Sequence, residues 1–239
     1  MSLLDLRNVS KKFGGLTVLR DVSFQVERGQ VVGLIGPNGA GKSTIFNIVT
    51  GFIKPDTGRI FFEGKEVSRL KPYEITKLGV ARTFQSVRPF PDYNVEENVR
   101  IGALFGRNDG KGIDERVEYA LELTGLTKKR KEVVSSLPIQ QRKLVEVARA
   151  VASSPVLLLL DEPMAGFNTA EVEGFSDIVR KINERGVTIL IVEHVMKAVM
   201  GLSEKVVVLN AGMKIAEGRP DEVTKNGEVV SAYLGDSYA

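Results

Sequence analysis

Residues 31–52 read VVGLIGPNGAGKSTIFNIVTGF, and the rest of the chain is organised around them. Val31, Val32, Leu34 and Ile35 predict a buried strand, Gly36–Ser43 fits the pattern G-x-x-x-x-G-K-[ST], and an amphipathic run follows from Thr44. Strand, glycine loop and helix in that order predict a phosphate-binding P-loop rather than a plain connecting turn. The chemistry explains the residue types. A triphosphate carries about four negative charges and needs many inward-pointing backbone N–H donors. Gly36, Gly39 and Gly41 permit that approach, Pro37, Asn38 and Ala40 complete the loop, and the positive end of the helix dipole begins near Lys42. Lys42 is expected to reach the β- and γ-phosphates, and the Ser43 hydroxyl to take a Mg2+ position beside Thr44.

Composition bounds the rest. At 239 residues, 43% hydrophobic and 26% charged, the chain is long enough for a substantial core, and a net charge of +3 is too small to argue for nucleic acid. It has no cysteine, which excludes disulfides and thiolate metal sites. No stretch approaches the roughly 18 uninterrupted apolar residues of a membrane span, and residues 1–13 lack a signal-peptide layout. A cytosolic location is expected, with any membrane association made through partners.

Residues 3–9 and 22–27 alternate apolar and polar, as antiparallel strands with one wet face do, and 11–15 read as a turn. Phe13 on that turn could stack on a purine with Val18 beside it, or serve as an exposed anchor. Strand 59–63 and a short helix 72–78 lead to Gln85, whose side chain could ligate Mg2+ or one of its waters. Residues 86–155 carry helical spacing at 94–105, 113–126 and 144–151 and no strand pattern, which predicts an inserted helical subdomain. Its basic run 128–131 reads as a solvated loop. Residues 156–163, VLLLLDEP, predict a buried strand delivering two carboxylates to a ligand crevice. Asp161 is placed to hold Mg2+ through water, and Glu162 to polarise the attacking water. A helix over 169–185, a strand over 187–192 ending at His194, the chain's one histidine, strands at 206–209 and 213–216, and a helical piece over 222–234 complete the expectation.

The order of these pieces resembles the ATP-binding subunits of ABC transporters. Phe13 is similar to the family's adenine-stacking aromatic, 36–44 to its Walker A, Gln85 to its Q-loop, 156–162 to its Walker B with catalytic glutamate, and His194 to its switch histidine. The segments 13–16, 81–85, 166–168, 193–197, 199–201 and 232–235 are similar to the subgroup serving branched-chain amino acid importers, and within it to the G-type subunit. The resemblance implies one α/β domain: a RecA-like P-loop NTPase core with an antiparallel β subdomain (1–85 and 156–239) and a helical signature subdomain (86–155). It implies ATP and Mg2+ as cofactors, Glu162, His194 and Lys42 as catalytic residues, and Ser43, Gln85 and Asp161 around the metal. It also implies a homologous ATPase subunit as partner (a heterodimer, or else a homodimer), two transmembrane permease subunits, and indirectly an extracytoplasmic substrate-binding protein. Nucleic acid is not among the partners, and the place is the cytoplasmic face of the membrane. One motif departs. The family signature, Leu-Ser-Gly-Gly-Gln, aligns with Leu137-Pro138-Ile139-Gln140-Gln141, where Pro138 has no hydroxyl and Gln140 puts a side chain where backbone contact is close. Two competing classes are a non-transport or export ABC ATPase and a nucleotide-binding regulatory partner with little turnover.

Overall fold

Ser2–Phe13 (β1) and Leu16–Glu27 (β2) form one long antiparallel hairpin, with Phe13 opposite Leu16 at its tip. In this computed structural model, which describes residues 2–86 and 89–234, Lys11–Phe13 therefore continue the strand instead of forming the expected turn. Gly14 and Gly15 alone make the turn, so the hairpin needs no help from the lysines. Val31–Ile35 (β3) is buried at every residue and feeds helix Lys42–Val49 (α1). Thr57–Phe62 (β4) and the short Lys65–Glu66 (β5) complete a four-stranded antiparallel sheet in the order β2-β1-β4-β5.

Pro72–Leu78 (α2) leads into Val80–Arg82 (β6), and then come the helices of the central stretch: Val95–Phe105 (α3), Ile113–Leu123 (α4) and Ile139–Ala152 (α5). Helix α5 starts five residues before the expected 144, with Pro138 at its N-cap, where a missing N–H costs little. The basic run is at the surface, with Lys128 and Lys131 exposed as expected, but it is partly paired. Thr127–Lys129 is a 3-10 turn, and Arg130 and Lys131 both pair with Glu96, at 3.1 and 2.9 Å. Those cations, with Arg100, hold the Glu96 carboxyl at about 2. Apolar residues of the three helices (Val99, Ala120, Val145) share one buried cluster with Leu158, Leu160, Ile189 and Ile191 from the sheet. The helical section is thus packed onto one sheet face rather than built around a core of its own.

The chain returns through Leu157–Asp161 (β7), Thr169–Glu184 (α6), Thr188–Val192 (β8), Met196–Leu202 (α7), Lys205–Asn210 (β9) and Met213–Gly218 (β10). The expected helix 222–234 is split into Pro220–Val223 (α8) and Gly227–Leu234 (α9), because Asn226 breaks the run and caps the second piece, its Oδ1 accepting from Glu228 N at 2.9 Å. The second sheet runs β10-β9-β3-β8-β7-β6, with β10 alone antiparallel. Strands β3, β8, β7 and β6 are lateral neighbours, so their carboxyl ends open side by side on one edge. Val87, Arg88 and Gly235, parts of segments singled out above, lie outside the described residues.

Candidate active site

The four adjacent strand ends deliver the candidate groups in a row. Strand β3 opens into the loop 36–41, β8 is followed by Glu193 and His194, β7 ends at Asp161 with Glu162 next, and β6 leads to Gln85. At Gly36, φ is +149° and an added Cβ would lie 2.1 Å from the Leu209 carbonyl oxygen, so only glycine fits. The loop is cross-tied from outside: Gly212 N donates to Ala40 O at 3.2 Å, and Arg20 N to Gly212 O at 2.8 Å. Helix α1 has no acidic residue in its first turn, which leaves its dipole end free for an anion. Lys42 is buried and folds back on the loop, its Nζ donating to the carbonyls of Gly36 at 2.6 Å and Pro37 at 2.9 Å. Burial lowers its pKa below the ordinary lysine value, against the pull of Glu162 and Asp161.

Glu162 sits in the left-handed region at φ +48°, a conformation costing about 1 kcal/mol for a side-chain-bearing residue. Its amide donates to Val192 O at 2.9 Å, which locks β7's end to β8's. The carboxylate is held at both oxygens: Oε1 lies 2.9 Å from His194 Nε2, and Gln85 Nε2 donates to Oε2 at 2.8 Å. Three residues separated by up to 109 positions thus meet at one carboxylate (194 minus 85). A general base needs this kind of fixed orientation.

Asp161 is 3% exposed, and burial pushes its pKa up despite Arg82 beside it. Arg82 holds Oδ2 at 2.7 Å, while Oδ1 is buried without a protein partner. Ser43, Gln85 and Asp161, the three residues assigned to the metal from sequence, line a single cavity of about 440 Å3 together with Asn47 and Arg82. A hydroxyl, an amide and one orphaned carboxylate oxygen suit a hard cation that keeps waters and takes phosphate oxygens, as Mg2+ does. Among the described residues no cluster of three His, Cys, Asp or Glu offers a dedicated metal cage.

Val18 lies against the loop, its carbonyl 3.1 Å from where a Cβ on Gly41 would sit. Phe13, at the hairpin tip, is 46% exposed, and Lys11 Nζ lies over its ring 5.5 Å from the centre. The signature segment stands apart. Leu137 is buried, but Pro138 and Ile139 face solvent, Gln140 is half-exposed, and among the described residues no hydrogen bond joins 137–141 to 36–44.

Two contributors escaped the sequence reading. Glu193 is buried and accepts from the backbone N–H groups of Met164 and His194, fixing the turn that aims His194; a carboxylate straight after a buried strand was the available signal. Lys143 is buried and donates to Ala165 O at 2.7 Å, tying α5 to the loop after Glu162. Asn168, where the family's D-loop has Asp, caps α6 in a reciprocal box with Glu171 at 2.8 and 3.0 Å.

Comparison with known proteins identifies the family. The ABC transporter family profile matches residues 19–165, and that of the branched-chain amino acid ATP-binding cassette transporter C-terminus matches 213–239. The high-affinity branched-chain amino acid transport ATP-binding protein BraF of Pseudomonas aeruginosa is 37% identical over 98% of each chain. LivG of Escherichia coli, described in the same terms, is 35% identical over 98% of each. Among solved structures, the ADP conformation of MJ1267, an ATP-binding cassette of an ABC transporter, superposes with a TM-score of 0.89 at 35% identity, covering 99% of this chain and 100% of that one. The dimeric post-hydrolysis cassette MJ0796, bound to ADP and Pi, gives 0.81 at 26% identity over 91% and 98%.

Proposed function

The chain belongs to the ABC transporter ATP-binding family, and from that premise we propose that it is the ATP-hydrolysing subunit of an importer for branched-chain amino acids or related small amides and acids. The observation that carries the reading is the convergence of Gln85 and His194 on Glu162 beside the P-loop.

The residues divide the work as follows. The loop amides of 36–44 and the end of α1 bind the phosphates, and Lys42 exchanges its loop carbonyls for the β- and γ-phosphate oxygens. Glu162 orients a water and takes its proton as that water adds in line to the γ-phosphorus; the bond to the β–γ bridging oxygen breaks, and ADP leaves with that oxygen. His194, anchored through Glu193, holds Glu162 from one side and comes within reach of the γ-phosphate. Mg2+, when bound, would neutralise phosphate charge; Ser43 and Gln85 would hold it, with Asp161 acting through water. Phe13 would supply the ring face for adenine and Val18 the wall beside it.

The signature segment 137–141 lies on the surface, as a group serving another chain's nucleotide would, and the dimeric relative supports a two-subunit arrangement. We assign a homologous sister ATPase as partner in a heterodimer. This chain's own cradle would form the fast site, and the site completed by Pro138 and Gln140 the slow one. Two permease subunits would take up the motion at Phe90 and Tyr93, which are exposed and stacked at 5.7 Å, and an extracytoplasmic binding protein would choose the cargo. Among the described residues no helix is long and apolar enough to cross a membrane; the likeness to transport ATP-binding proteins supports a peripheral place on the cytoplasmic face.

The test is ATPase activity of the complex co-purified from detergent-solubilised membranes, with its sister subunit and permeases. Glu162→Gln on this chain alone is expected to abolish most turnover. Retention of most of it would reverse the assignment of fast and slow sites, and absence of permeases from the complex would remove the transport reading.

A further inference from the structure

Arg82 is a cation near the site whose side chain is buried and which the mechanism above does not use. Its side chain is 7% exposed and that of Asp161 4%, and Nη2 donates to Asp161 Oδ2 at 2.7 Å. Nη1 donates to Asn47 Oδ1 at 2.7 Å and approaches Thr50 Oγ1 at 3.4 Å, both on or just after α1. The guanidinium also lies 5.5 Å from the centre of the Phe46 ring and 5.0 Å from that of Phe84. One side chain thus joins the phosphate-loop helix and the carboxylate strand to the strand that leads to Gln85. The arrangement is lopsided: Arg82 takes one carboxylate oxygen and leaves Oδ1 buried with no protein partner.

A buried carboxylate needs a positive neighbour, and removing that neighbour leaves an uncompensated charge. Nearby, the family reading puts a divalent cation. We propose that Arg82 is a positioning residue that serves as the resident counter-ion of Asp161, taking up at Oδ2 part of the negative charge that magnesium would otherwise draw on, and that it thereby sets how tightly the metal-nucleotide complex is held. The inference rests on the reading of Asp161 as a metal-site residue. Its signature is a trade: the less Arg82 neutralises the carboxylate, the more the protein leans on metal.

The test uses the full chain with Glu162→Gln, which halts turnover, alone and combined with Arg82→Met or Arg82→Lys. Thermal melting is followed without nucleotide, with ATP and EDTA, and with ATP and magnesium; magnesium is also titrated at fixed ATP using a fluorescent nucleotide. Arg82→Met is expected to lower the nucleotide-free melting temperature by several degrees. Magnesium ATP should recover more of that loss than ATP with EDTA, and the half-saturating magnesium concentration should fall several-fold. Arg82→Lys, which keeps the charge but not the fork, should fall between. If Arg82→Met does not fold, the Arg82→Lys titration decides. Equal melting losses in all three conditions with an unchanged magnesium midpoint would make Arg82 a purely structural ion pair and overturn the proposal. A parent chain that shows no magnesium-dependent shift would instead overturn the metal-site reading beneath it.

Discussion

The cradle at the carboxyl edge of the parallel sheet and the segment 137–141 at the head of α5 are both assigned to nucleotide, and they are built in opposite ways. In the cradle the charged side chains are held by the protein itself, Lys42 by two loop carbonyls, Glu162 by Gln85 and His194, and one oxygen of Asp161 by Arg82, with Asp161 Oδ1 left over. In the signature segment Pro138 and Ile139 face solvent, and Gln141 leaves its side-chain oxygen buried and unpaired. The cradle is organised in advance, whereas the segment is open to solvent at Pro138 and Ile139. Preorganisation is where electrostatic catalysis comes from, so the proposed function puts the chemistry in the first region and the control in the second.

The comparison breaks first at Glu162. In the assembled complex Glu162→Gln should cut turnover at this chain's site by about 10^2- to 10^4-fold while nucleotide stays bound, as single-turnover kinetics and equilibrium binding would show. Turnover within a few-fold of the parent would mean that the cradle geometry is not the working one. Next comes the rigidity of the loop. Gly36→Ala drives a Cβ to 2.1 Å from the Leu209 carbonyl and should cost about 3 kcal/mol in denaturant unfolding. At Gly39, also at positive φ but with nothing within 4 Å of an added Cβ, the same change should cost about 1 kcal/mol. Equal costs would show that backbone angle, not contact with β9, holds the loop.

The signature segment is sharpened by repair. Restoring Pro138→Ser with Gln140→Gly should raise the turnover of the assembled complex several-fold and leave nucleotide affinity of the single chain unchanged. A change in single-chain affinity would place the segment inside this chain's own site. The smallest effect lies deeper in the helical section. The Glu96 carboxyl, held at about 2 by Lys131, Arg130 and Arg100, has a folded pKa below its unfolded one. Its contribution to stability is therefore full above about pH 4.5 and is lost as pH falls from there towards 2. Melting curves at pH 6 and pH 3 should differ less in Glu96→Gln than in the parent, while the turnover at neutral pH stays put.

How much of this could be read from the chain follows from sequence distance. Strands β3, β7 and β8 announce themselves as unbroken apolar runs, and the helix 72–78 appears at the expected bounds. Helix α7 was not legible, because it begins two residues after His194 with no side-chain cap to mark its start. The start of α5 hides behind Gln140, Gln141, Arg142 and Lys143, whose polarity interrupts the apolar spacing. The pairing of Arg130 and Lys131 was not legible because Glu96, their counter-charge, lies more than thirty residues upstream. Arg82 and Asp161 are 79 residues apart, and nothing local links them. Motifs reveal which groups are present; pairings across the sheet emerge only once strand order is known.

The inward fold of Lys42 has a consequence for how nucleotide is received. With its ammonium bonded to Gly36 and Pro37, the loop is a closed ring of donor and acceptors rather than slack chain. Arrival of a phosphate becomes a swap of oxygens at one nitrogen, so little backbone ordering has to be supplied from the affinity. Nucleotide exchange would then be quick and only mildly temperature-dependent, leaving the slow, costly step to the meeting of subunits.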